Sequence, residues 1–277
     1  MAAKDIQLIA LDLDGTLLNS EKQISRATAA ILRDAMAQGL DVVLATARPP
    51  RSVLPFYSLL GLETPMINYN GALVYQPIET RVVLHKPLDP ATARRVVTIA
   101  RDLVPDIAVS AEILDKWYTD RNDPRYLTET AQNHEPDKVA PLEQFLSRPI
   151  TKLLLLSEAR NIDTVRQAIE AALPYQVGLV QTEDYLLQVM NIRASKVQAL
   201  RTVAAELQVR REQIMAIGDN ANDVGMLQWA AIGVAMGNAP GSVQAAADMV
   251  TDHNDAEGVA RAIHRVIVEG YHPGRTS

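Results

Sequence analysis

Residues 6–16 have the sequence IQLIALDLDGT, in which an apolar run, Ile6–Leu11, is followed by two aspartates, Asp12 and Asp14, and a glycine turn. The apolar run predicts a short buried strand. Because Asp12 and Asp14 are two residues apart, their side chains share one side of an extended chain. In open α/β sheets ligands bind at the carboxyl ends of strands. The pair is therefore a candidate ligand site, the alternative being two solvated acids before a turn.

Strand and helix patterns alternate after this first strand. The pattern predicts a helix over Ser25–Gln38, a strand over Val42–Ala45, a helix over Arg51–Leu60 and a strand over Met66–Tyr69. The same rhythm returns with a helix over Lys196–Leu207 and strands over Ile214–Ile217, Ile232–Val234 and Met249–Val250, before a last helix that Asn254 and Glu257 open as a capping box. Such alternation is typical of βαβ units. We predict an α/β fold with a doubly wound, Rossmann-like parallel sheet.

The pattern changes in the middle of the chain. A hairpin over Leu73–Leu84, a helix capped by Asp89 and a polar segment from Thr119 to Pro141 precede a strand over Thr151–Leu156, a helix over Thr164–Leu173 and a strand over Tyr185–Met190. We therefore expect an inserted α/β domain over residues 85–190. Residues 1–84 and 191–277 would then form one discontinuous core domain.

The composition narrows the classes of function. The 277 residues are 48% hydrophobic and 22% charged and have a formal net charge of −6, as expected of a folded globular protein that is a poor partner for nucleic acid. The chain has no Cys, which excludes disulfides, thiolate zinc sites and cysteine nucleophiles. Since no apolar stretch approaches the roughly 18 residues of a membrane span, and the N-terminal segment lacks a signal-peptide pattern, we expect a cytoplasmic protein without a membrane partner.

A second acidic cluster follows a second strand. Asp219, Asn222 and Asp223 come directly after Ile214–Ile217, although the same composition also suits an ordinary turn in which Asp223 caps a helix. Lys196 lies in the first turn of its helix, where the helix dipole disfavours a cation and so indicates a nearby anion, unless the lysine is simply exposed. Thr46 ends its strand with a hydroxyl that can donate to a phosphoryl oxygen or begin a loop.

The order Asp12-x-Asp14, Thr46, Lys196, Asp219 and Asp223 resembles the four motifs of the haloacid dehalogenase-like hydrolase superfamily. The resemblance spans nearly the whole chain and is strongest to the Cof-type sugar-phosphate phosphatases, whose large α/β cap lies between the second and third motifs. Three positions depart from the family pattern: Ala47 replaces a glycine after Thr46, and Arg193 and Val197 stand where glycines often flank the lysine.

The resemblance implies a mechanism. Asp12 would attack the phosphorus of a phosphate monoester and become an aspartyl-phosphate, and Asp14 would act as general acid and base, with a pKa above that of Asp12. Mg²⁺ would be held by the Asp12 carboxylate, the Asp14 main-chain carbonyl and Asp219, with Asp223 holding its waters or the loop. The phosphate-binding residues would be Thr46, Ala47, Lys196 and Asn222. The inserted domain would close over the site and select the substrate.

Two other functions remain open at this point. A phosphomutase of the same superfamily would use Asp12 and Asp14 but return the phosphate to the sugar. A non-catalytic protein that binds a phosphometabolite would gain nothing from a nucleophile. The expected partner is in each case a small phosphorylated metabolite, and the sequence leaves both monomer and dimer open. Trp117 and Tyr118 are candidates for stacking on a ligand or for packing within the inserted domain.

Overall fold

The structure, a computed structural model, describes residues 6–121, 123–126 and 128–271. The chain leaves one compact unit after Leu84 and returns to it at Ser195, and His85–Ala194 form a second unit. The second unit thus ends four residues beyond the expected position 190. Its role as a cap stays a prediction. Among the described residues, no helix has both the length and the apolar character needed to cross a membrane.

The first unit opens with the alternating elements that the sequence predicts. They are β1 (Leu8–Leu11), α1 (Arg26–Ala37), β2 (Asp41–Leu44), α2 (Pro50–Leu60), β3 (Met66–Asn68), β4 (Leu73–Gln76) and β5 (Arg81–His85). The hydroxyl of Ser25 caps α1 by accepting a hydrogen bond from the Thr28 amide, 3.0 Å away.

The second unit contains α3 (Pro90–Leu103), β6 (Ala108–Ile113), β7 (Lys116–Thr119), α4 (Glu129–Asn133), β8 (Lys138–Val139), β9 (Lys152–Leu156), α5 (Ala159–Ala172), β10 (Val177–Glu183) and β11 (Leu186–Asn191). Its sheet has the order β10-β11-β9-β6-β7-β8, and all neighbours except β7 and β8 are antiparallel. Trp117 is buried and Tyr118 packs on Phe145, with ring centroids 5.8 Å apart, which favours packing over ligand stacking for both rings.

The chain then completes the first unit with α6 (Lys196–Glu206), β12 (Ile214–Gly218), α7 (Val224–Trp229), β13 (Ile232–Ala235), α8 (Gly241–Gln244), β14 (Met249–Val250) and α9 (Gly258–Ile263). The predicted capping box is wrong. Glu257 has a left-handed backbone, with φ of +60°, and makes no capping bond to α9. Its carboxylate instead accepts hydrogen bonds from the hydroxyls of Ser25 and Thr28, so a contact distant in sequence outweighs the local pattern.

The central sheet of the first unit has the order β14-β13-β12-β1-β2, and every neighbouring pair is parallel. Alternate residues of β1 face opposite layers: Leu11 belongs to the same hydrophobic cluster as Leu32 of α1, whereas Ala10 clusters with Leu200 of α6. Helices therefore cover both faces, which confirms the doubly wound α/β prediction. Because the strands are parallel, the residues that follow β1, β2 and β12 meet at one edge of the sheet.

Candidate active site

Asp12 lies directly after β1 and is the buried centre of the site, with 5% of its surface exposed. The Nζ of Lys196, in the first turn of α6, donates to Asp12 Oδ1 at 2.5 Å and to Asp223 Oδ1 at 2.6 Å. All three side chains are buried, so the single ammonium offsets part of the negative charge of the two carboxylates within the protein. The anions that the position of Lys196 indicated are thus Asp12 and Asp223.

Asp223 also fixes the loop after β12. Its Oδ2 accepts hydrogen bonds from the main-chain amides of Asp219, at 3.1 Å, and Asn220, at 3.0 Å. Asp223 is fully buried. One carboxylate therefore both pairs with Lys196 and holds the backbone that carries Asp219.

Asp219 connects this loop to the turn after β1. Its Oδ1 accepts a hydrogen bond from the Thr16 hydroxyl, 3.0 Å away. Gly15 has φ of +76°, and a Cβ at that position would lie 2.4 Å from Asp219 Oδ2, so only glycine fits this backbone. Asn238 donates to the Gly15 carbonyl at 2.8 Å and further fixes the turn.

One carboxylate oxygen from each of Asp12, Asp219 and Asp223 lies within 4.8 Å of the others. Burial raises the pKa of Asp219, and the negative charge of Asp223 raises it further. Burial and the same charge also hold the pKa of Asp12 well above its ordinary value, although the positive charge of Lys196 opposes this shift. Burial disfavours the Lys196 ammonium, but the two carboxylates outweigh it and raise the pKa of Lys196. The cluster has more negative than positive charge, and its ligand atoms are the hard oxygens that Mg²⁺ prefers.

The surroundings of Asp14 differ from those of Asp12. The Arg48 guanidinium holds its carboxylate in a bidentate pair, with Nε 2.7 Å from Oδ2 and Nη2 2.5 Å from Oδ1, and Lys22 Nζ donates at 2.8 Å. Partial burial raises the pKa of Asp14, but these two cations outweigh it and the net shift is downward. The predicted order of the two pKa values is therefore wrong in this structure, because Asp14 is paired with two cations while Asp12 lies among other carboxylates.

The loop after β2 contributes Thr46 and Ala47. Thr46 is buried, and its hydroxyl accepts a hydrogen bond from the Arg48 amide at 3.2 Å; Ala47 is half-buried between them. Asn222 is exposed, and its Nδ2 donates to Asn70 Oδ1 at 2.8 Å. Parallel strands thus bring the predicted residues of three separate loops to one edge of the sheet.

Comparison with known proteins identifies the family. The family model described as haloacid dehalogenase-like hydrolase matches residues 9–263, a range that contains every residue of this site. The chain belongs to the haloacid dehalogenase-like hydrolase family. The resemblance read from the sequence motifs is thereby confirmed.

Relatives of this hydrolase are similar over nearly their whole length. A putative phosphatase, YxeH, of Bacillus subtilis is 30% identical over 95% of this chain and 98% of its own. The 5-amino-6-(5-phospho-D-ribitylamino)uracil phosphatase YitU of the same organism is 30% identical over 92% of this chain and 95% of its own. A haloacid dehalogenase-like hydrolase from Bacteroides thetaiotaomicron has the same fold, with a TM-score of 0.86, 27% identity, and coverage of 94% of this chain and 99% of that chain. The chain is accordingly an enzyme of this hydrolase family, and of the relatives described above YitU is named a phosphatase and YxeH a putative one.

The departures from the family's glycine pattern have local explanations. The Val197 side chain lies beside Gly225 of α7, where a Cβ on the glycine would be 3.1 Å from Val197 Cγ1, so the space for the larger residue comes from the neighbouring helix. Arg193 belongs to the second unit, where its amide donates to Asn191 Oδ1 at 2.9 Å.

The sequence interpretation missed several partners in this hydrolase. Arg48 and Lys22 pair with Asp14, Thr16 bonds Asp219, and Asn70 bonds Asn222. Arg48 and Asn70 carried a signal, since each follows a predicted strand at the edge where the aspartates lie. Lys22 carried none, because its position depends on how the chain turns after Gly15.

Proposed function

We propose that this hydrolase is a Mg²⁺-dependent phosphatase that cleaves small phosphate monoesters through an aspartyl-phosphate on Asp12. The observation that carries the proposal is the pairing of the buried Asp12 carboxyl group with the Lys196 ammonium, beside two further aspartates. A nucleophile needs this kind of place, where water is excluded and a fixed cation offsets negative charge.

The carboxylate cluster fits Mg²⁺. Asp12 and Asp219 would hold the ion together with the Asp14 main-chain carbonyl, and Asp223 would hold its waters or, as its two amide contacts support, the loop. When bound, Mg²⁺ would neutralise charge on the phosphoryl oxygens and lower the pKa of Asp12. The chemistry of the donor set thus agrees with this cofactor.

The covalent chemistry takes two steps. In the first, an oxygen of the Asp12 carboxylate forms a bond to phosphorus while the bond from phosphorus to the ester oxygen breaks. Asp14, which must take up a proton from solvent against its lowered pKa, gives that proton to the departing alkoxide. In the second, Asp14 accepts a proton from water, the water oxygen bonds to phosphorus, and inorganic phosphate leaves as the Asp12 carboxylate is restored. The roughly one-third exposure of the Asp14 side chain supports this role, since it allows proton exchange with solvent.

Positioning of the phosphoryl group falls to the surrounding donors. The ammonium of Lys196 and the hydroxyl of Thr46 would bind its oxygens, with Asn222 and the amide beside Ala47 completing the set. Phosphoryl transfer depends mainly on positioning and electrostatic stabilisation, so such donors supply most of the rate enhancement.

The substrate is proposed to be a sugar phosphate or a related phosphometabolite. YitU, at 30% identity, is named for a substrate whose phosphate is carried on a ribityl chain, which supports a small polyhydroxylated ester. Residues 85–194 form a compact unit of their own, and we assign them the role of a cap that selects the substrate. The cytoplasmic location stays a prediction.

The experiment is phosphate release from a panel of hexose phosphates, pentose phosphates, nucleotides and pyridoxal phosphate, with Mg²⁺ or with a chelator. Asp12→Asn is expected to abolish release, whereas the exposed Asp34→Asn on α1 serves as the matched control and is expected to retain it. Mass spectrometry of acid-quenched enzyme should find a phosphoryl group on the peptide that contains Asp12. A phosphomutase would isomerise the ester without free phosphate, and binding without turnover would indicate a phosphometabolite-binding protein.

A further inference from the structure

The turn after β3 has an unusual backbone. Tyr69, Asn70 and Gly71 have φ values of +50°, +54° and +89°. Residues with side chains seldom adopt this left-handed region, and asparagine tolerates it better than most. Strained residues of this kind persist only where the surrounding structure holds them, and they concentrate at functional sites.

The contacts of the turn place it inside the candidate site. The main-chain amide of Asn70 donates to the main-chain carbonyl of Thr46 at 3.0 Å. A Cβ on Gly71 would lie 2.2 Å from the Ser195 carbonyl oxygen, so the turn packs tightly against the N-cap of α6, next to Lys196. Asn70 therefore lies between two residues that we assign to phosphate binding.

The Asn70 side chain is buried, with 5% of its surface exposed, but is only half satisfied. Its Oδ1 accepts the hydrogen bond from Asn222 Nδ2 at 2.8 Å. Its own Nδ2 finds no hydrogen-bond partner within the part of the chain that the structure describes. A primary amide has two N–H donors, so the Nδ2 of this largely buried residue remains available to donate to a ligand.

We propose that Asn70 Nδ2 binds the phosphoryl group of the substrate, as a neutral donor beside Thr46, Lys196 and Asn222. This inference rests on the proposed phosphatase function and adds a binding residue to it. The left-handed turn fixes the amide where it can donate, and the bond from Asn222 determines which end of that amide faces the ligand. The acceptor is a phosphate oxygen, since the neighbouring donors are all assigned to that group.

Two substitutions separate phosphate binding from a purely structural role. Asn70→Asp keeps the size, the tolerance of positive φ and the acceptor for Asn222, but it replaces the free donor with a negatively charged oxygen. Asn70→Gly keeps the backbone and removes the side chain entirely. Gln208→Glu is the matched control, because Gln208 is also left-handed, with φ of +57°, and lies beyond the far end of α6, about 16 Å along the helix from Lys196.

The probe is inorganic phosphate, titrated by calorimetry in the presence of Mg²⁺ and measured again as a competitive inhibitor of ester hydrolysis. We expect Asn70→Gly to weaken phosphate binding about tenfold, as for loss of a hydrogen bond to a charged group, and Asn70→Asp to weaken it by more than that, since it also adds a negative charge. Gln208→Glu should bind as the natural protein does. Thermal unfolding of each variant checks the fold, and Asn70→Gly keeps the test valid if Asn70→Asp does not fold.

Phosphate binding by Asn70→Asp as tight as in the natural protein would overturn the proposal, because that variant has lost the donor and gained a negative charge in its place. A loss confined to Asn70→Gly would likewise show that Asn70 merely supports Asn222. Since calorimetry does not depend on turnover, a natural protein that binds phosphate but hydrolyses no ester would defeat the phosphatase proposal and leave the result for Asn70 standing.

Discussion

Replacing Lys196 with Met tests whether this lysine is the counter-ion of the buried carboxylates. The ammonium lies 2.5 Å from Asp12 Oδ1 and 2.6 Å from Asp223 Oδ1, and only 1% of the lysine side chain is exposed. Met has a similar length and volume, so the substitution removes the charge and leaves little cavity. Breaking a buried ion pair by removing one partner costs about 3–5 kcal/mol, and we expect a loss of this size in the free energy of unfolding of metal-free protein.

The loss should depend on pH with a definite sign. The pKa of Asp12 is raised above its ordinary value of 3.8 even with Lys196 present. A carboxyl group with a raised pKa binds more protons in the folded state, so its contribution to stability falls as pH rises from the unfolded toward the folded pKa. Without Lys196 the folded pKa rises further, and each additional unit adds about 1.4 kcal/mol to the loss at high pH. At low pH the protonated carboxyl needs no counter-ion, and the loss should be small.

The assay is urea unfolding in chelator at about pH 5 and about pH 8, and it compares the loss in the free energy of unfolding of Lys196→Met at the two pH values. Lys138→Met is the control, because Lys138 is exposed and donates to Gln144 on the surface, and it should change stability by less than about 0.5 kcal/mol. Mg²⁺ should restore part of the stability of Lys196→Met at the higher pH, since it supplies the missing positive charge. A loss below about 1 kcal/mol at the higher pH, or the same loss at both, would refute the counter-ion role.

Three further predictions follow from the same site and its supporting layer. Gly15→Ala places a Cβ 2.4 Å from Asp219 Oδ2, and we expect about a hundredfold lower activity and a higher Mg²⁺ requirement in a phosphate-release assay; unchanged kinetics would contradict the geometry. Tyr57→Phe leaves the buried Thr64 carbonyl without the hydroxyl that now donates at 2.9 Å, which should cost about 1–3 kcal/mol in urea unfolding while kcat stays the same. Chelation of divalent cations should abolish activity reversibly without unfolding the protein in circular dichroism, because each unit has its own hydrophobic core, and activity that persists in chelator would exclude a metal-dependent mechanism.

The parallel core was predictable because its signals are local. Each strand of the central sheet is a short apolar run next to a helix with one apolar stripe, as in Val42–Ala45 and the α1 region. The observed β2 and α1 differ from the predicted ranges by only one residue at each end. Such segments fold as their own pattern dictates, since the two faces of the sheet are both buried.

The second unit was harder to predict. β6, β7 and β10 were not predicted, and α5 begins at Ala159 rather than at Thr164. The core-facing positions of β6 are apolar, but Ser110 and Glu112 on its other face are also buried, although their residue types are usually exposed. The N-cap of α5 makes no side-chain hydrogen bond, so no capping signal marks its start.

In the candidate site, the positions of the residues could be predicted from the sequence, but their electrostatic surroundings could not. The positions of Asp12 and Asp219 follow from the ends of their strands, because parallel strands carry both residues to one edge. Their pKa values do not follow from the strand ends, since the pKa of a carboxyl group depends on its burial and on the charges that pack against it. Asp12 and Asp14 are two residues apart, yet one is buried beside Lys196 among other acids and the other is held by Arg48 and Lys22.

The different surroundings of Asp12 and Asp14 also explain how two chemically identical groups can take separate roles. A nucleophile gains from burial, because a desolvated carboxylate beside a fixed cation reacts without first losing water. A general acid and base must exchange its proton with solvent, and Asp14, unlike Asp12, has that access. Gly15 makes this separation possible, because its left-handed backbone turns the chain immediately after Asp14 and brings Thr16 back to Asp219. The short motif at residues 12–16 therefore encodes both the placement of the acids and the turn that distinguishes them.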